Sequence, residues 1–287
     1  MTNQGSIVTN YLTIDVEDYF QVSAFSNKIR FEDWGNYESR VVENTKKLLE
    51  ILSKTDEIKG TFFILGWVAE KYPEIVKEID INGHEVACHS YRHQLIYNIS
   101  PDEFRRDITK AKNILEDITG KKILGYRAPS YSITRKSLWA FEILAEAGFE
   151  YDSSVFPITH DLYGMPDAPR FEYKLVEHDL VEYPITTSRL LGLNIPVSGG
   201  GYFRLFPYWF TRMALHKINT SDNQPFIFYL HPWEIDPEQP RIHGAKFLSR
   251  FRTYHNLVKT KERFGKLLKD FKFGPISPQH KMTETVA

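Results

Sequence analysis

One cysteine, Cys88, stands alone in 287 residues, which excludes an intrachain disulfide and any metal site built from several cysteines. It precedes His89 in a short alternating run, so it is expected to face away from that histidine as small core filler. Long apolar runs are missing too. The longest, "FFILGWVA", falls far short of the ~20 residues that a membrane span needs. The opening "MTNQGSIVTNYLTIDVEDYF" has neither a basic n-region nor an apolar h-region, so a soluble chain in the cytoplasm, without signal peptide or transmembrane segment, is the expectation. Charge of one sign is also lacking: 36 Lys and Arg against 37 Asp and Glu leave a formal net charge of -1. These charges are interspersed and give no electrostatic case for nucleic acid or an anionic membrane surface. No Pro/Gly/Ser-rich linker, internal repeat or low-complexity tract divides the sequence, apart from a polar tail after about residue 273. With 42% hydrophobic residues the chain can bury a large core, and a single domain over residues 1–287 is the economical reading.

What is present is an α/β alternation. Candidate strands are "YLTIDVE", "GTFFILG", "EVACHS", "ILGYRAP", "FEYDSS", "LVEYPIT" and "PFIFYLH", enough to curl into a barrel. Between them, "SPDEFRRDITKAKNILEDITG" carries Ser100 as N-cap, Pro101 at the first helical position, Glu103 completing a capping box and Gly120 past the end. Further helical stripes comprise Val41, Thr45, Leu48 and Leu52; Val68, Tyr72, Ile75 and Ile79; and Tyr254, Leu257, Phe264, Leu267 and Leu268. Residues 157–207, with several prolines and "SGGGYFRLFPY", read as a long excursion between strands, the kind of loop that tends to be functional.

The reactive side chains gather at strand ends. Asp15, Glu17 and Asp18 close the first candidate strand, His89 the third, Arg127 the fourth, Asp152 the fifth and His231 the last. In a closed βα barrel those ends meet on one face. The segment "HSYRH" adds His93 four residues after His89, a spacing that in one turn of helix would present two imidazoles to one point. A lone pair of this kind arises readily by chance, and each strand-end residue alone reads equally well as a solvated loop side chain. The coincidence of five strand ends makes that bland reading much weaker.

Together these motifs resemble the polysaccharide deacetylase family, the NodB-type carbohydrate esterases, from residue 11 to about 270: "TIDVED", "TFFILG", "HSYRH", "RAPS" and "YLH" follow in the family's order. "DVEDYFQV", "GGGYFRLFPY" and "HPWEIDPEQPR" look like the branch associated with bacterial exopolysaccharide clusters. The resemblance implies a distorted (β/α)7 TIM-like barrel with one divalent metal. There are departures. The family's adjacent Asp-Asp is here Asp15-Val16-Glu17-Asp18; Ser130 stands where tyrosine is usual, with Tyr131 one step later; and the motif ending in Asp-Trp is reduced to "YDSS".

A metal held by His89, His93 and one carboxylate, Glu17 or Asp18, would leave positions for water and a substrate carbonyl. The resemblance favours Asp18, because the family's metal-binding aspartate follows the base on the loop side. It likewise implies Asp15 as base, oriented by Arg127, and His231 as the acid that protonates the leaving nitrogen; Asp152 is a candidate to orient His231. Ser130, Tyr131, Leu230 and Trp233, with Tyr202 and Phe203, are candidates to wall an acetyl group and a sugar face, core packing being an equal reading. Family convention favours zinc, and such a ligand set also accepts cobalt, nickel or manganese. The expected activity is removal of N-acetyl groups from amino sugars of a bacterial surface saccharide. An allantoinase-like ring-opening amidohydrolase of the same fold and a catalytically inactive carbohydrate-binding protein are the alternatives. The sugar and the oligomeric state stay open.

Overall fold

Strand β1 (Thr9–Val16) is buried along seven of its eight residues, as a strand covered on both faces must be. In this computed structural model, which describes residues 8–55 and 58–276, β1 lies between two parallel neighbours. On one side is β2 (Thr61–Ile64), followed by β3 (Glu85–Cys88), β4 (Gly125–Tyr126) and β5 (Tyr151–Asp152). Next to β5 come β6 (Tyr173–Leu175) and β7 (Leu180–Glu182), then the β8 (Thr187–Leu190) and β9 (Leu193–Pro196) hairpin, and β10 (Ile227–Leu230) returns to the other side of β1. The seven parallel strands run in the order β10-β1-β2-β3-β4-β5-β7. They are the seven expected strands, curled into a half-barrel, and the gap between β7 and β10 is bridged by single contacts, among them Gly199 with Tyr229.

Helices cover the outside. They are α1 (Val41–Ser53), α2 (Gly66–Lys71), α3 (Pro73–Ile81), α4 (Pro101–Thr119), α5 (Trp139–Glu146), α6 (Gly200–Leu205), α7 (Tyr208–Lys217), α8 (Phe247–Tyr254) and α9 (Leu257–Asp270). The capping box on α4 is formed, with Ser100 Oγ accepting from Glu103 N and Glu103 Oε2 accepting from Ser100 N, and Gly120 takes the left-handed C-cap at φ 67°. Strand alternation then sorts the core: Leu12, Ile14, Val16, Cys88 and Leu230 pack outward against helices, while Tyr11, Phe63, Ala87 and Tyr229 fill the barrel interior.

Three expectations need correction. The stripe Val68–Ile79 is two helices, because Pro73 cannot continue α2 and forces Tyr72 out of helical geometry. Tyr254 belongs to α8, since left-handed Asn256 (φ 54°) separates it from α9. The excursion at 157–207 contains the barrel strand β7, antiparallel β6 and the β8–β9 hairpin, whose Leu191–Gly192 turn has positive φ at both residues. Lys272–Gly274 forms strand β11, paired with the start of β1, with Phe273 buried; most of the expected polar tail, residues 277–287, lies outside the described part.

Candidate metal and catalytic centre

Alternation on β1 turns Asp15 inward, and the next inward position, Glu17, lies one residue past the strand end. His89 follows β3 in the same sense. His93 reaches the same point by a different route from the helical turn expected of "HSYRH". Residues 89–93 are a loop in which Ser90 (φ 63°) and His93 (φ 53°) are left-handed, and the two rings end 5.3 Å apart. The loop is pinned from two sides. Ser90 O and Tyr91 O accept from Gly66 N and Trp67 N, and Asp107 on α4 accepts from Tyr91 N and Arg92 N at 2.7 and 3.2 Å.

Glu17, His89 and His93 each bring a ligand atom to within 4.8 Å of the others, and all three are buried. His89 Nδ1–H donates to Arg127 O at 2.8 Å, which fixes the tautomer with a free lone pair on Nε2; burial holds its pKa down at about 4. Glu17 Oε2 is 2.6 Å from His93 Nε2 yet has no hydrogen bond. Burial alone would raise the Glu17 carboxyl, but the imidazoles of His93, His231 and His89 hold it at about 2. A buried anionic oxygen without a donor, facing two imidazoles, is a donor set that fits a divalent cation. Ser23 Oγ stands 3.5 Å from His93 Nδ1 and accepts from Ser130 Oγ at 2.8 Å.

Beside this trio lie two couples. Arg127, fully buried, donates from Nη1 to Asp15 Oδ1 (2.7 Å) and Thr13 Oγ1 (2.8 Å), and from Nε and Nη2 to Ser153 O and Oγ; its guanidinium lies 4.1 Å over the Phe63 ring. The second couple is His231, whose Nδ1 is 2.7 Å from Glu234 Oε1. The other oxygen, Glu234 Oε2, accepts from Arg204 Nε at 2.6 Å, and the remaining nitrogens of Arg204 bind the carbonyls of Arg252, Thr253 and His255. His231 Nε2 faces Asp15 Oδ2 at 3.8 Å and Glu17 Oε1 at 3.6 Å. Trp233 stacks on His231 and donates from Nε1 to Glu17 Oε1 at 3.2 Å.

Asp15, Glu17, His89, His93, His231 and Trp233 line a cavity of about 140 Å³, together with Gly200 and Gly201. The glycines of "SGGG" allow that approach: a Cβ on Gly199 would lie 2.1 Å from Tyr229 O, and one on Gly200 2.5 Å from the Tyr229 ring. Ser130 and Tyr131, at φ 51° and 54°, form two consecutive left-handed residues on the rim, a strain of the sort that surrounding structure must hold in place. Residues 29–151 match the family described as polysaccharide deacetylase, and residues 153–281 match a domain of unknown function, DUF3473. Residues 29–151 are a polysaccharide deacetylase domain.

Among the relatives that match this domain, a peptidoglycan-N-acetylglucosamine deacetylase of Bacillus cereus is 39% identical over 102 residues, 35% of this chain and 37% of that protein. A peptidoglycan deacetylase of Helicobacter pylori is 30% identical over 109 residues, 38% of this chain and 36% of that one. The chain thus spans about a third of the length of the curated relatives it matches. The crystal structure of a polysaccharide deacetylase from Mycobacterium smegmatis superposes with a TM-score of 0.60 at 18% identity, over 98% of this chain and 95% of that one, which shows the shared fold.

Within this deacetylase domain several expected positions move. Asp18 points away from the trio. Its Oδ2 accepts from Ser39 Oγ, Arg40 N and Val41 N at the start of α1, and its Oδ1 from Tyr19 N; burial pushes its carboxyl up to about 6. Asp152 is on the outward side of β5, accepting from Ser154 and facing Glu182, and Glu234 holds the place beside His231 that was expected of it. Leu230 faces the helices, so Tyr229, one residue earlier, lines the cavity instead. Ser130, Tyr131 and Trp233 are in the lining; Tyr202 flanks an adjoining groove and Phe203 is core. Sequence reasoning missed Glu234, Arg204, Ser23 and Tyr163. Only Glu234 left a local signal, the i,i+3 spacing from His231 across Pro232 that forms a capping box.

Proposed function

We propose that the protein is a metal-dependent hydrolase that removes N-acetyl groups from amino sugars of a bacterial surface saccharide. The observation that carries this reading is the convergence of Glu17, His89 and His93 with Asp15 and His231 around one cavity, Asp15 held from behind by Arg127 and His231 by Glu234. Glu17, His89 and His93 would hold one divalent ion, zinc by family convention, with cobalt, nickel or manganese compatible with the same donors. Such an ion, when bound, lowers the pKa of water and polarises a carbonyl.

The chain's own residues supply the rest. Asp15 Oδ1 is committed to Arg127, which leaves Oδ2 facing the cavity to take a proton from water. Arg127 fixes the orientation of that carboxylate through a guanidinium whose nitrogens are tied to Thr13 and Ser153. On the other side His231 Nε2 gives its proton to the departing amine. Burial pulls the imidazolium down, but the hydrogen bond to Glu234 and the charges of Glu17, Glu234 and Asp15 outweigh it and raise its pKa to about 9, so the acid is loaded at neutrality. Trp233, Tyr131 and Tyr229 offer apolar walls for the acetyl group.

The test is acetate release from N-acetylated glycans by purified, metal-assayed protein. Release that requires a divalent ion and disappears in His93→Ala supports the reading. Release from no N-acetylhexosamine oligomer, with the ion bound, rules it out.

A further inference from the structure

The catalytic cavity does not end in bulk solvent on every side. A second cavity of about 400 Å³ adjoins it and shares Val22, Tyr163, Gly201, Tyr229 and Trp233 with it. That is the size range of ligand pockets. Its outer wall is made by Leu205 on α6 and by Leu248 and Phe251 on α8, which are 46%, 52% and 41% exposed. Large apolar side chains left half open beside a polar site mark a binding surface rather than leftover core.

Most polar groups along this groove already have partners. Arg204 is taken up by Glu234 and three backbone carbonyls. The hydroxyls of Tyr163 and Tyr202 bond to each other. His255 Nε2 bonds to Asn256, His160 Nδ1 accepts from Leu162 N, and Arg252 pairs with Asp161. A sugar ring brings several hydroxyls that each need a partner when desolvated, and this groove has few to give. An alkyl or prenyl chain needs none.

We propose that the groove binds an apolar aglycone carried by the substrate, so that the preferred substrate is an amphiphilic, lipid-linked N-acetylated saccharide whose sugar occupies the catalytic cavity. This rests on the deacetylase reading above. The wall that α8 contributes is held firmly in place. Arg204 clamps the carbonyls of Arg252, Thr253 and His255 at its C-terminal end, and the same guanidinium holds Glu234 behind the catalytic histidine.

The experiment compares acetate release from the methyl and octyl glycosides of one N-acetylhexosamine, both below any micelle concentration. It is paired with calorimetric binding of the octyl glycoside, which needs no turnover. The octyl compound should have a kcat/KM at least about tenfold higher, equal to about 1.4 kcal/mol, an effect for which two buried methylenes suffice. Leu248→Asn and Phe251→Asn, at half-exposed positions, should each lower that ratio several-fold and weaken octyl binding in parallel; Val258→Asn, exposed on α9 outside the groove, should keep the wild-type ratio. Equal kcat/KM for the two glycosides overturns the inference and leaves the deacetylase reading standing. A ratio that survives both groove variants, or a gain from added sugar units that the variants abolish, also overturns it. Tight binding to vesicles without glycolipid, lost in the same variants, would give the face to a bilayer and overturn the aglycone assignment. Acetate from neither compound defeats the deacetylase reading, and octyl binding that still responds to Leu248→Asn would then keep the groove as an apolar-chain site.

Discussion

Glu17 and Asp18 are neighbours in sequence with opposite roles, and comparing their losses separates metal from scaffold. Glu17→Gln removes one of three ligands from the trio and should weaken metal at least about tenfold, taking the smallest loss typical of a supporting group as the bound. Metal at 100 times the wild-type Kd adds about 2.7 kcal/mol to the folded state, and a tenfold weaker site leaves only about 1.4 kcal/mol at the same concentration. Asp18→Ala leaves the metal alone and strips the acceptor from Tyr19 N, Ser39 Oγ, Arg40 N and Val41 N. Loss of a helix-capping side chain at a buried position costs about 2 kcal/mol, a fall in Tm of about 3 °C for a chain of this length. The assay is thermal unfolding with chelator and with added zinc. Asp18→Ala should lower Tm in both conditions by the same amount, while Glu17→Gln should mainly shrink the zinc-induced rise. A zinc response retained by Glu17→Gln and lost in Asp18→Ala would refute the placement of both side chains.

Asp15→Asn should keep metal, measured by bound zinc, and lose at least about a hundredfold in kcat, the low end for removal of a general base. The alkaline limb of the kcat/KM profile should report His231. Its raised pKa keeps the acid protonated below the limb and loses it as pH rises, and the limb should fall between the ordinary value of about 6.5 and about 9, because bound metal withdraws part of the Glu17 charge. Glu234→Gln should move that limb down by at least about one pH unit, and an unmoved limb would detach Glu234 from His231. The outward pair Asp152 and Glu182 is fully buried and both carboxyls are raised, first by burial and then, for Glu182, by the neighbouring carboxylate. Their contribution to stability is therefore present at low pH and lost as pH climbs from the usual carboxylate range upward. Asp152→Asn should raise Tm at pH 8, flatten the pH dependence of Tm and leave acetate release close to wild type; a lower Tm at pH 8 would contradict the raised carboxyls of this pair.

The seven parallel strands are legible in the sequence because each is a short β-rich run, five of them closed by a reactive polar residue, and burial on both faces leaves few alternatives. Asp15, His89, Arg127 and His231 are legible for the same reason, since strand ends converge whatever the loops do. Legibility stops where a side chain's aim depends on loop backbone. No periodicity foretells that Ser90 and His93 are left-handed, and a helical pairing of His89 with His93 gives the right partners for the wrong geometry. Asp18 is misplaced for a related reason. The chain turns immediately after Glu17, and the donors that capture Asp18 come from Ser39 to Val41, more than twenty positions later. Leu230 is a parity error that the strand rule itself corrects: with His231 inward, Tyr229 must also be inward and Leu230 outward.

The two matched segments, 29–151 and 153–281, meet at β5, next to the last parallel strand, and the candidate site residues straddle the join. Asp15 and Glu17 lie ahead of the first segment, His89, His93 and Arg127 within it, and His231, Glu234 and Arg204 within the second. Arg127 makes the dependence physical. It is fully buried, and of its four polar contacts two go to Asp15 and Thr13 and two to Ser153, the first residue of the second segment. A buried guanidinium that loses half its acceptors is strongly unfavourable, so Arg127 of the first segment needs Ser153 of the second to stay satisfied while it holds Asp15. The converse also holds. His231 gains its raised pKa from Glu17 and Asp15 as well as from Glu234, and Trp233 commits its only donor to Glu17. Under the proposed function, the region without assigned function would supply the acid and the clamp behind it, and through α8 the wall of the adjoining groove.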